Sequence, residues 1–398
     1  MSVWARFGTG CSRRTVFHGN RKRTEHTMHF FRAMIWVIIW SGSGSGSRVD
    51  YSANNEPVTS KLQMANCKWH IMGTELESRM IGRRLKNEFG RKIYKLSLDI
   101  GCTCPTRDGT KGTRGCIFCS QAGSGDFSER YTGKQEELDR AKARLGAKID
   151  TGKAGFIAYF QNYTNTYASA EYLGPLFEAP LADKTVVGIS IATRPDCLGP
   201  EIIALIRRLC MRTTVFVELG LQTIHDSTAA FIRRGFPLTE YDRAVGDLRA
   251  AGARVVTHLI FGLPYHSDYP LAEKAKLSLE STEGPRLSLE STEMMLESVR
   301  YVARSGVEGV KFQLLHVLRG TDLAELYQNG AFRTLTMDEY VDVVVRALSI
   351  LPDSVSIHRL TGDPPRRLLI APDWATDKKR VLNEIRHKTH ILSRCTDA

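Results

Sequence analysis

The chain has 398 residues, of which 42% are hydrophobic and 25% are charged, and this globular composition excludes a low-complexity or collagen-like protein. Its net charge is +12, but residues 1–79 hold eleven Lys or Arg against five Asp or Glu and so supply half of it. The rest of the chain is only mildly basic, so the charge permits a nucleic-acid partner but does not require one.

The cysteines disfavour one broad class of protein. There are nine of them, an odd number, and four lie between residues 102 and 119. Secreted disulfide scaffolds are usually short and evenly studded with cysteine, which does not fit this chain. The pattern favours a reducing compartment and a metal site, and we therefore expect a cytoplasmic protein.

The N-terminal segment, residues 1–79, lacks sustained periodicity and contains a Ser/Gly run. We expect it to be disordered, or to be a leader that a wrongly assigned start codon adds to the gene product. Its apolar stretch Met28–Trp40 is about thirteen residues long and contains Arg32, whereas a membrane-spanning helix needs roughly 20 apolar residues. We expect no stable membrane association.

From residue 94 onward, short apolar runs alternate with amphipathic stretches. The runs predicted as strands are 94–101, 155–160, 186–193, 214–222, 254–264, 309–318 and 354–360. Helices are predicted over 136–149, 200–210, 241–252 and 294–306. This α/β alternation predicts a parallel sheet, either a complete or partial (βα) barrel or an open doubly wound sheet.

Polar side chains follow the predicted strands where the apolar runs stop, and chemistry gathers at that end of a parallel sheet. These residues are Gln161, Asn162, Thr193, Arg194, Asp196, Gln222 and His316, while Glu218 and His258 lie inside their runs. The sequence therefore predicts a site at the carboxyl ends of the strands.

The segment LSLESTE occurs twice, at 277–283 and at 287–293. Solenoid repeats are longer and more numerous. We interpret the repeat as a local duplication that lengthens a surface loop or a helix N-terminus.

The stretch CPTRDGTKGTRGCIFC, residues 104–119, directly follows the first predicted strand. Its thiols, Cys104, Cys116 and Cys119, have four alternative roles. Charged neighbours disfavour buried structural cysteines, the lack of a second ligand pair disfavours zinc, and a disulfide is disfavoured further. The remaining alternative is an iron–sulfur cluster held by three thiolates, with Cys102 as another sulfur nearby.

A three-cysteine loop after the first barrel strand, with Phe118 before the last cysteine, resembles the radical S-adenosylmethionine (SAM) superfamily. The usual spacing there is C-x3-C-x2-C, whereas this chain has C-x11-C-x2-C. The long first gap resembles the YhcC-type proteins, relatives of the radical-SAM core of the tRNA-modifying Elongator catalytic subunit. The resemblance spans about residues 80 to 385 and continues through the segments 159–168, 190–198, 217–223, 257–264, 309–321 and 358–363.

This resemblance implies a partial (βα)6-type TIM barrel over residues 80–320 and a C-terminal extension of helices and strands over 321–398. It implies that the three cysteines hold a 4Fe-4S cluster whose open iron binds SAM, and that reductive cleavage gives a 5′-deoxyadenosyl radical. The radical would abstract hydrogen from an unidentified substrate, with RNA among the candidates, and flavodoxin or ferredoxin would supply the electron. The alternative is an iron–sulfur electron-transfer or scaffold protein without catalysis.

The resemblance and the strand-end positions together give candidate roles. Catalytic roles are expected for Glu218, Gln222 and His258, and cofactor binding for Phe118, Gln161, Asn165, Thr193, Arg194, Glu218 and Gln222. Arg194 would grip the SAM carboxylate, and the alternative is a salt bridge to Asp196. Glu218 and Gln222 face one side of a strand and would bind ribose or substrate, or else form a satisfied buried pair.

Overall fold

The computed structural model describes residues 76–123, 127–146, 149–266 and 287–396. Almost all of the predicted leader, including Met28–Trp40, and the first LSLESTE copy therefore lie outside the described residues. Within the described ranges, no helix is both long and apolar enough to cross a membrane.

The helices and strands follow each other in α/β alternation. The helices are α1 (Ile81–Phe89), α2 (Gln135–Gly146), α3 (Ala170–Glu178), α4 (Pro200–Cys210), α5 (Asp226–Phe231), α6 (Leu238–Ala250), α7 (Thr292–Arg304), α8 (Asp322–Gln328), α9 (Met337–Ile350) and α10 (Lys378–Thr396). The strands are β1 (Ile93–Asp99), β2 (Glu129–Arg130), β3 (Gly155–Phe160), β4 (Val186–Thr193), β5 (Thr214–Gln222), β6 (Arg254–Phe261), β7 (Pro264–Tyr265), β8 (Ser288–Leu289), β9 (Gly309–Leu314), β10 (Val317–Leu318), β11 (Ser356–Arg359) and β12 (Leu369–Ala371).

Eight strands form one sheet in the order β11-β9-β6-β5-β4-β3-β1-β2, and every neighbouring pair is parallel. The predicted parallel α/β architecture is thereby confirmed. Because all these strands run the same way, their carboxyl ends meet on one edge, where the loops after them lie together.

The buried strands and the amphipathic helices make one large apolar core. Every residue of β3 is buried, as expected for a strand covered on both faces. Helix α4 begins with Pro200 at its first turn and buries Ile202, Ile203, Leu205, Ile206 and Leu209 on one side. This packing holds the strands in place, and the polar residues predicted for the site lie at their carboxyl ends.

The predicted bounds of β3, β4, β5 and α4 agree with the structure residue for residue. The run 254–264 ends earlier, at Phe261, because Gly262 has φ 85°, in the left-handed region that turns the chain away. The second LSLESTE copy forms β8, and Ser291 caps α7 by accepting a hydrogen bond from the backbone N–H of Met294. That copy is thus part of a helix N-terminus, one of the two expected placements.

The C-terminal extension contributes to the same sheet. Strand β11 pairs in parallel with β9, and Met80 forms an isolated bridge to Ile357 beside it. A strand beyond residue 320 therefore completes the main sheet. The proposed domain boundary at residue 320 stays a prediction.

Candidate functional site

The cysteine loop after β1 is folded by its own backbone hydrogen bonds. The amide of Lys111 donates to the carbonyl of Pro105 at 2.7 Å, that of Gly115 to Thr106 at 2.8 Å, and that of Cys119 to Cys116 at 3.0 Å. The loop folds back on itself, and its three cysteines line one cavity of about 380 Å³.

The guanidinium of Arg107 holds the C-terminal end of this loop by hydrogen bonds. Arg107 donates from Nη2 to the carbonyl oxygens of Cys119 at 2.9 Å and Ser120 at 2.8 Å. Gly115 has φ 73°, and a Cβ there would lie 2.9 Å from Nε of Arg107, so both backbone and space require glycine. Arg107 also lines the cavity and places positive charge beside the thiols.

The thiols fall into two kinds. Cys102 is buried, and burial together with the nearby Asp99 raises its pKa to about 11. Cys104, Cys116 and Cys119 are only half-buried and carry no disulfide. Burial and the neighbouring Cys119 raise the pKa of Cys116 to about 12.

The donor set fits an iron–sulfur cluster. Three soft sulfur donors lie on one cavity wall, beside the guanidinium of Arg107, which would offset the negative charge of cluster and thiolates. In the part of the chain that the structure describes, no three His, Cys, Asp or Glu side chains are grouped to hold a single metal ion. Ligands of a four-iron cluster bind separate irons and need not converge on one point.

Most of the predicted site residues share this cavity. Its lining includes the three cysteines together with Phe118, Gln161, Thr193, Arg194, Glu218, Gln222 and His258. Asn165 lies behind the wall, where its buried amide nitrogen donates to the carbonyls of Phe160 at 3.0 Å and Ala192 at 2.9 Å. In this position Asn165 joins the end of β3 to β4 and does not line the cavity.

Arg194 is engaged by its own loop. Its Nε and Nη2 donate to the two carboxylate oxygens of Asp196 at 2.9 and 2.8 Å, and Lys111 donates to Asp196 at 2.6 Å. The guanidinium also lies over the ring of Phe236, 5.1 Å from its centroid. The structure therefore shows the salt bridge that was the alternative, while Arg194 still lines the cavity.

Glu218 lies at the centre of a buried polar group, which we call the Glu218 cluster: Glu218, Lys95, Lys311, Tyr159 and Ser190. Its carboxylate accepts hydrogen bonds from both ammonium groups, from the Tyr159 hydroxyl at 2.8 Å and from the Ser190 hydroxyl at 2.9 Å. Four side chains thus occupy its oxygens, whereas the alternative expected from sequence was a buried pair with Gln222 satisfied by neighbouring backbone.

Sequence reasoning missed the two lysines, although a signal existed. Lys95 and Lys311 interrupt the apolar strands β1 and β9 in the middle, where an unpaired charge is costly. A lysine in the middle of an apolar strand therefore predicts an acidic side chain on another strand.

The charges of the cluster shift one another's ionisation. Burial alone would raise the pKa of Glu218, but Lys311 and Lys95 hold it well below its ordinary value. Burial lowers the pKa of Lys311 to about 7, because the attraction of Glu218 offsets only part of that cost. The cluster therefore keeps one carboxylate charged inside the sheet.

A second polar group, the Arg359 relay, consists of Arg359, Gln313 and His316. Arg359 donates to Oε1 of Gln313 at 3.1 Å, and Nε2 of Gln313 lies 3.2 Å from Nδ1 of His316. All three line the cavity. Burial lowers the pKa of His316 to about 4 and that of His258 to about 3, so both rings are neutral at pH 7.

Left-handed backbone at residues other than glycine also concentrates here. Among the described residues these are Gln222 (φ 65°), Tyr163 (φ 53°) and Arg233 (φ 58°). Gln222 and Tyr163 line the cavity, and the carbonyl of Arg233 accepts from Sγ of Cys116 at 3.7 Å. Such backbone conformations are strained and cluster at functional sites.

Comparison with known proteins places the chain in a family. The model of the radical SAM superfamily matches residues 109–278, and that of the radical SAM C-terminal domain matches residues 307–390. The chain is 40% identical to the uncharacterized protein YtqA of Bacillus subtilis over 81% of this chain and 92% of that protein. It is 31% identical to the protein YhcC of Escherichia coli K12, over 75% of this chain and 88% of that protein.

The fold agrees with this assignment. The solved structure of the archaeal Methanocaldococcus infernus Elp3 superposes with a TM-score of 0.50 at 18% sequence identity, over 74% of this chain and 63% of that one. This chain thus spans less than two thirds of that structure, and the likeness concerns the fold, a parallel partial TIM barrel. The sequence relatives and the barrel together show that the chain belongs to the radical SAM superfamily, in the group that includes YtqA and YhcC.

Proposed function

We propose that this protein is a radical SAM enzyme whose 4Fe-4S cluster is held by Cys104, Cys116 and Cys119. Members of the superfamily bind such a cluster and SAM, and membership supports radical SAM chemistry. The observation that carries the proposal is that three half-buried thiols and seven predicted site residues line one cavity.

The bound cluster and SAM would supply a 5′-deoxyadenosyl radical, and the residues of this chain would control where it acts. Arg107 offsets negative charge at the thiols and fixes the loop end. The buried wall residues Ile260, Leu314 and Leu315 exclude water from the cavity, which a reactive radical requires. Glu218 and Lys311 of the Glu218 cluster line the cavity and present polar groups to it.

The hydrogen bonds of the cavity wall also indicate which side chains are oriented to contact SAM. The hydroxyl of Ser97 lies 3.2 Å from Oε1 of Gln161 and donates to it, which orients that amide on the wall. Gln222 and Thr193 end neighbouring strands and line the same cavity as the three cysteines. We propose Gln161, Thr193 and Gln222 as the side chains that contact SAM.

Anaerobic reconstitution tests the proposal. Wild-type protein with SAM and dithionite is expected to release 5′-deoxyadenosine and to contain iron and sulfide. Cys104→Ala should lose both the cluster and the product, because one thiolate ligand is missing. Cys102→Ala is the matched control, since this cysteine is buried away from the cavity lining, and should keep both.

The same experiment separates the competing class. An electron-transfer or scaffold protein would hold iron and sulfide but release no 5′-deoxyadenosine. Stoichiometric zinc without sulfide, or a full cluster in Cys104→Ala, would contradict the ligand assignment.

A further inference from the structure

The cavity contains a guanidinium, that of Arg359, which has no counter-charge among the described residues. Arg359 ends β11, the strand at one end of the sheet order, whereas β1 and β2 lie at the other end of that order. Its one hydrogen bond goes to the neutral amide of Gln313, and no carboxylate of the described residues lies within salt-bridge distance. A half-buried cation that no acid neutralises attracts an anion.

The hydrogen bonds of the Arg359 relay have a fixed direction. A guanidinium only donates, so Oε1 of Gln313 is the acceptor and its Nε2 must be the donor. That nitrogen lies 3.2 Å from Nδ1 of His316, which therefore accepts. The proton of the neutral ring then resides on Nε2, and the relay presents N–H groups at both of its ends.

The Nε2 end has no partner. His316 is 8% exposed, and its Nε2 is buried without a hydrogen-bond acceptor among the described residues. A buried donor left without an acceptor costs about 1–3 kcal/mol. His316 lines the cavity, so a ligand there could supply the acceptor.

The chain leaves room for this arrangement. A Cβ at position 362 would lie 2.0 Å from Nε2 of Gln313 and 2.6 Å from Cε1 of His316, so any larger residue would displace these side chains. Gly362 lies in the loop that follows β11 and continues into Pro364 and Pro365 at the cavity wall. The loop is therefore shaped around the relay.

The charge inside this wall is positive. Three basic side chains, Lys95, Lys311 and Arg359, lie around the one carboxylate of Glu218, so basic groups outnumber the acid even though burial lowers the pKa of Lys311 to about 7. The remaining acid on the wall, Asp363, is largely exposed and is paired with Lys378 at 2.5 Å. The enclosed part of the wall thus lacks negative charge.

We infer that the Arg359 relay binds an anionic oxygen group of the substrate, a carboxylate or a phosphate. This inference rests on the proposed function, because it takes the substrate to enter the cavity that holds SAM. The guanidinium supplies the charge, and the ring Nε2–H of His316 supplies a second donor.

Calorimetric titration of the full-length, cluster-loaded protein with acetate and with inorganic phosphate tests the inference. Acetate and phosphate distinguish the two sources, and the anion that binds more tightly identifies the group. Arg359→Met should weaken the binding of that anion at least tenfold, and Arg359→Lys should weaken it by a smaller factor. Gly362→Ala should weaken it too, because the added methyl displaces Gln313 and His316.

Two controls make the result specific. Acetamide, a neutral analogue of acetate, should not bind, and Arg366→Met should leave anion binding unchanged, because that exposed arginine lies outside the cavity lining. Equal binding by wild type and both Arg359 variants would overturn the inference.

The titration is repeated with saturating SAM. Unchanged anion affinity supports a substrate subsite, whereas loss of binding would assign the relay to the carboxylate of SAM and overturn the inference. Release of 5′-deoxyadenosine without any added anion reports on the proposed function separately, so failure of one does not imply failure of the other.

Discussion

Two buried polar groups share strand β9 and differ in how their hydrogen bonds are satisfied. Lys311 of the Glu218 cluster and Gln313 of the Arg359 relay are two residues apart, so both face the cavity. Glu218 accepts from four side chains, whereas the relay ends in the unpartnered Nε2 of His316. The first group is complete within the protein, and the second is the one that we propose a ligand completes.

The largest expected effect breaks the complete group. Glu218→Gln removes the counter-charge of the buried Lys311 and the half-buried Lys95, which should lower the free energy of unfolding by about 3–5 kcal/mol. Urea denaturation measures the loss. The control is Glu178→Gln, because Glu178 pairs with Arg212 at 2.7 Å on the surface, and it should cost less than about 1 kcal/mol.

The next effect tests the relay by pH. The pKa of His316 is about 4 in the folded protein, below the ordinary value of 6.5, so the unfolded chain binds the proton first as the pH falls. Stability is therefore lost as the pH falls from about 6.5 toward 4, by about 2 kcal/mol between pH 7 and pH 5. Urea denaturation of His316→Gln should show this part of the pH dependence removed, and an unchanged slope would contradict it.

A smaller effect probes the space around the relay. Gly362→Ala places a methyl group against Gln313 and His316 and should lower the free energy of unfolding by about 1.5 kcal/mol. The matched control is Gly246→Ala on α6, where a Cβ meets nothing within 4 Å. It should raise stability by about 0.5–1 kcal/mol, because alanine favours the helix. Equal effects in both variants would mean that the relay does not need the glycine.

The smallest effect removes one donor from the complete group. Tyr159→Phe deletes the hydroxyl that donates to Glu218 at 2.8 Å, while three donors remain. We expect a loss of about 1 kcal/mol in urea denaturation. Tyr301→Phe, whose hydroxyl donates to Asp242 at the surface at 2.6 Å, should have less effect. A loss as large as that of Glu218→Gln would show that the cluster depends on every one of its bonds.

Much of this fold and site was predictable from sequence, because the signals were local. Apolar runs gave β3, β4 and β5, and the spacing of the cysteines gave the loop that lines the cavity. The polar residues expected at strand ends did meet on one edge, since parallel strands require it.

The remaining features depended on the order of the strands. Lys95 and Glu218 come together only because β1 and β5 are folded into one barrel, and 123 residues separate them along the chain. Arg359 reaches Gln313 only because β11 pairs with β9. Asn165 also could not be placed from sequence, since its amide nitrogen donates to two backbone carbonyls behind the cavity wall, and its role in cofactor binding stays a prediction.

The position of β11 has a consequence for how the protein is made. It is an end strand of the eight-stranded sheet, and in chain order it comes long after the cysteine loop. The thiols leave the ribosome long before Arg359, so the cofactor side of the barrel can take shape first. The wall that would recognise a substrate is completed only after Arg359 has been synthesised, and a nascent chain cannot bind its substrate there before that moment.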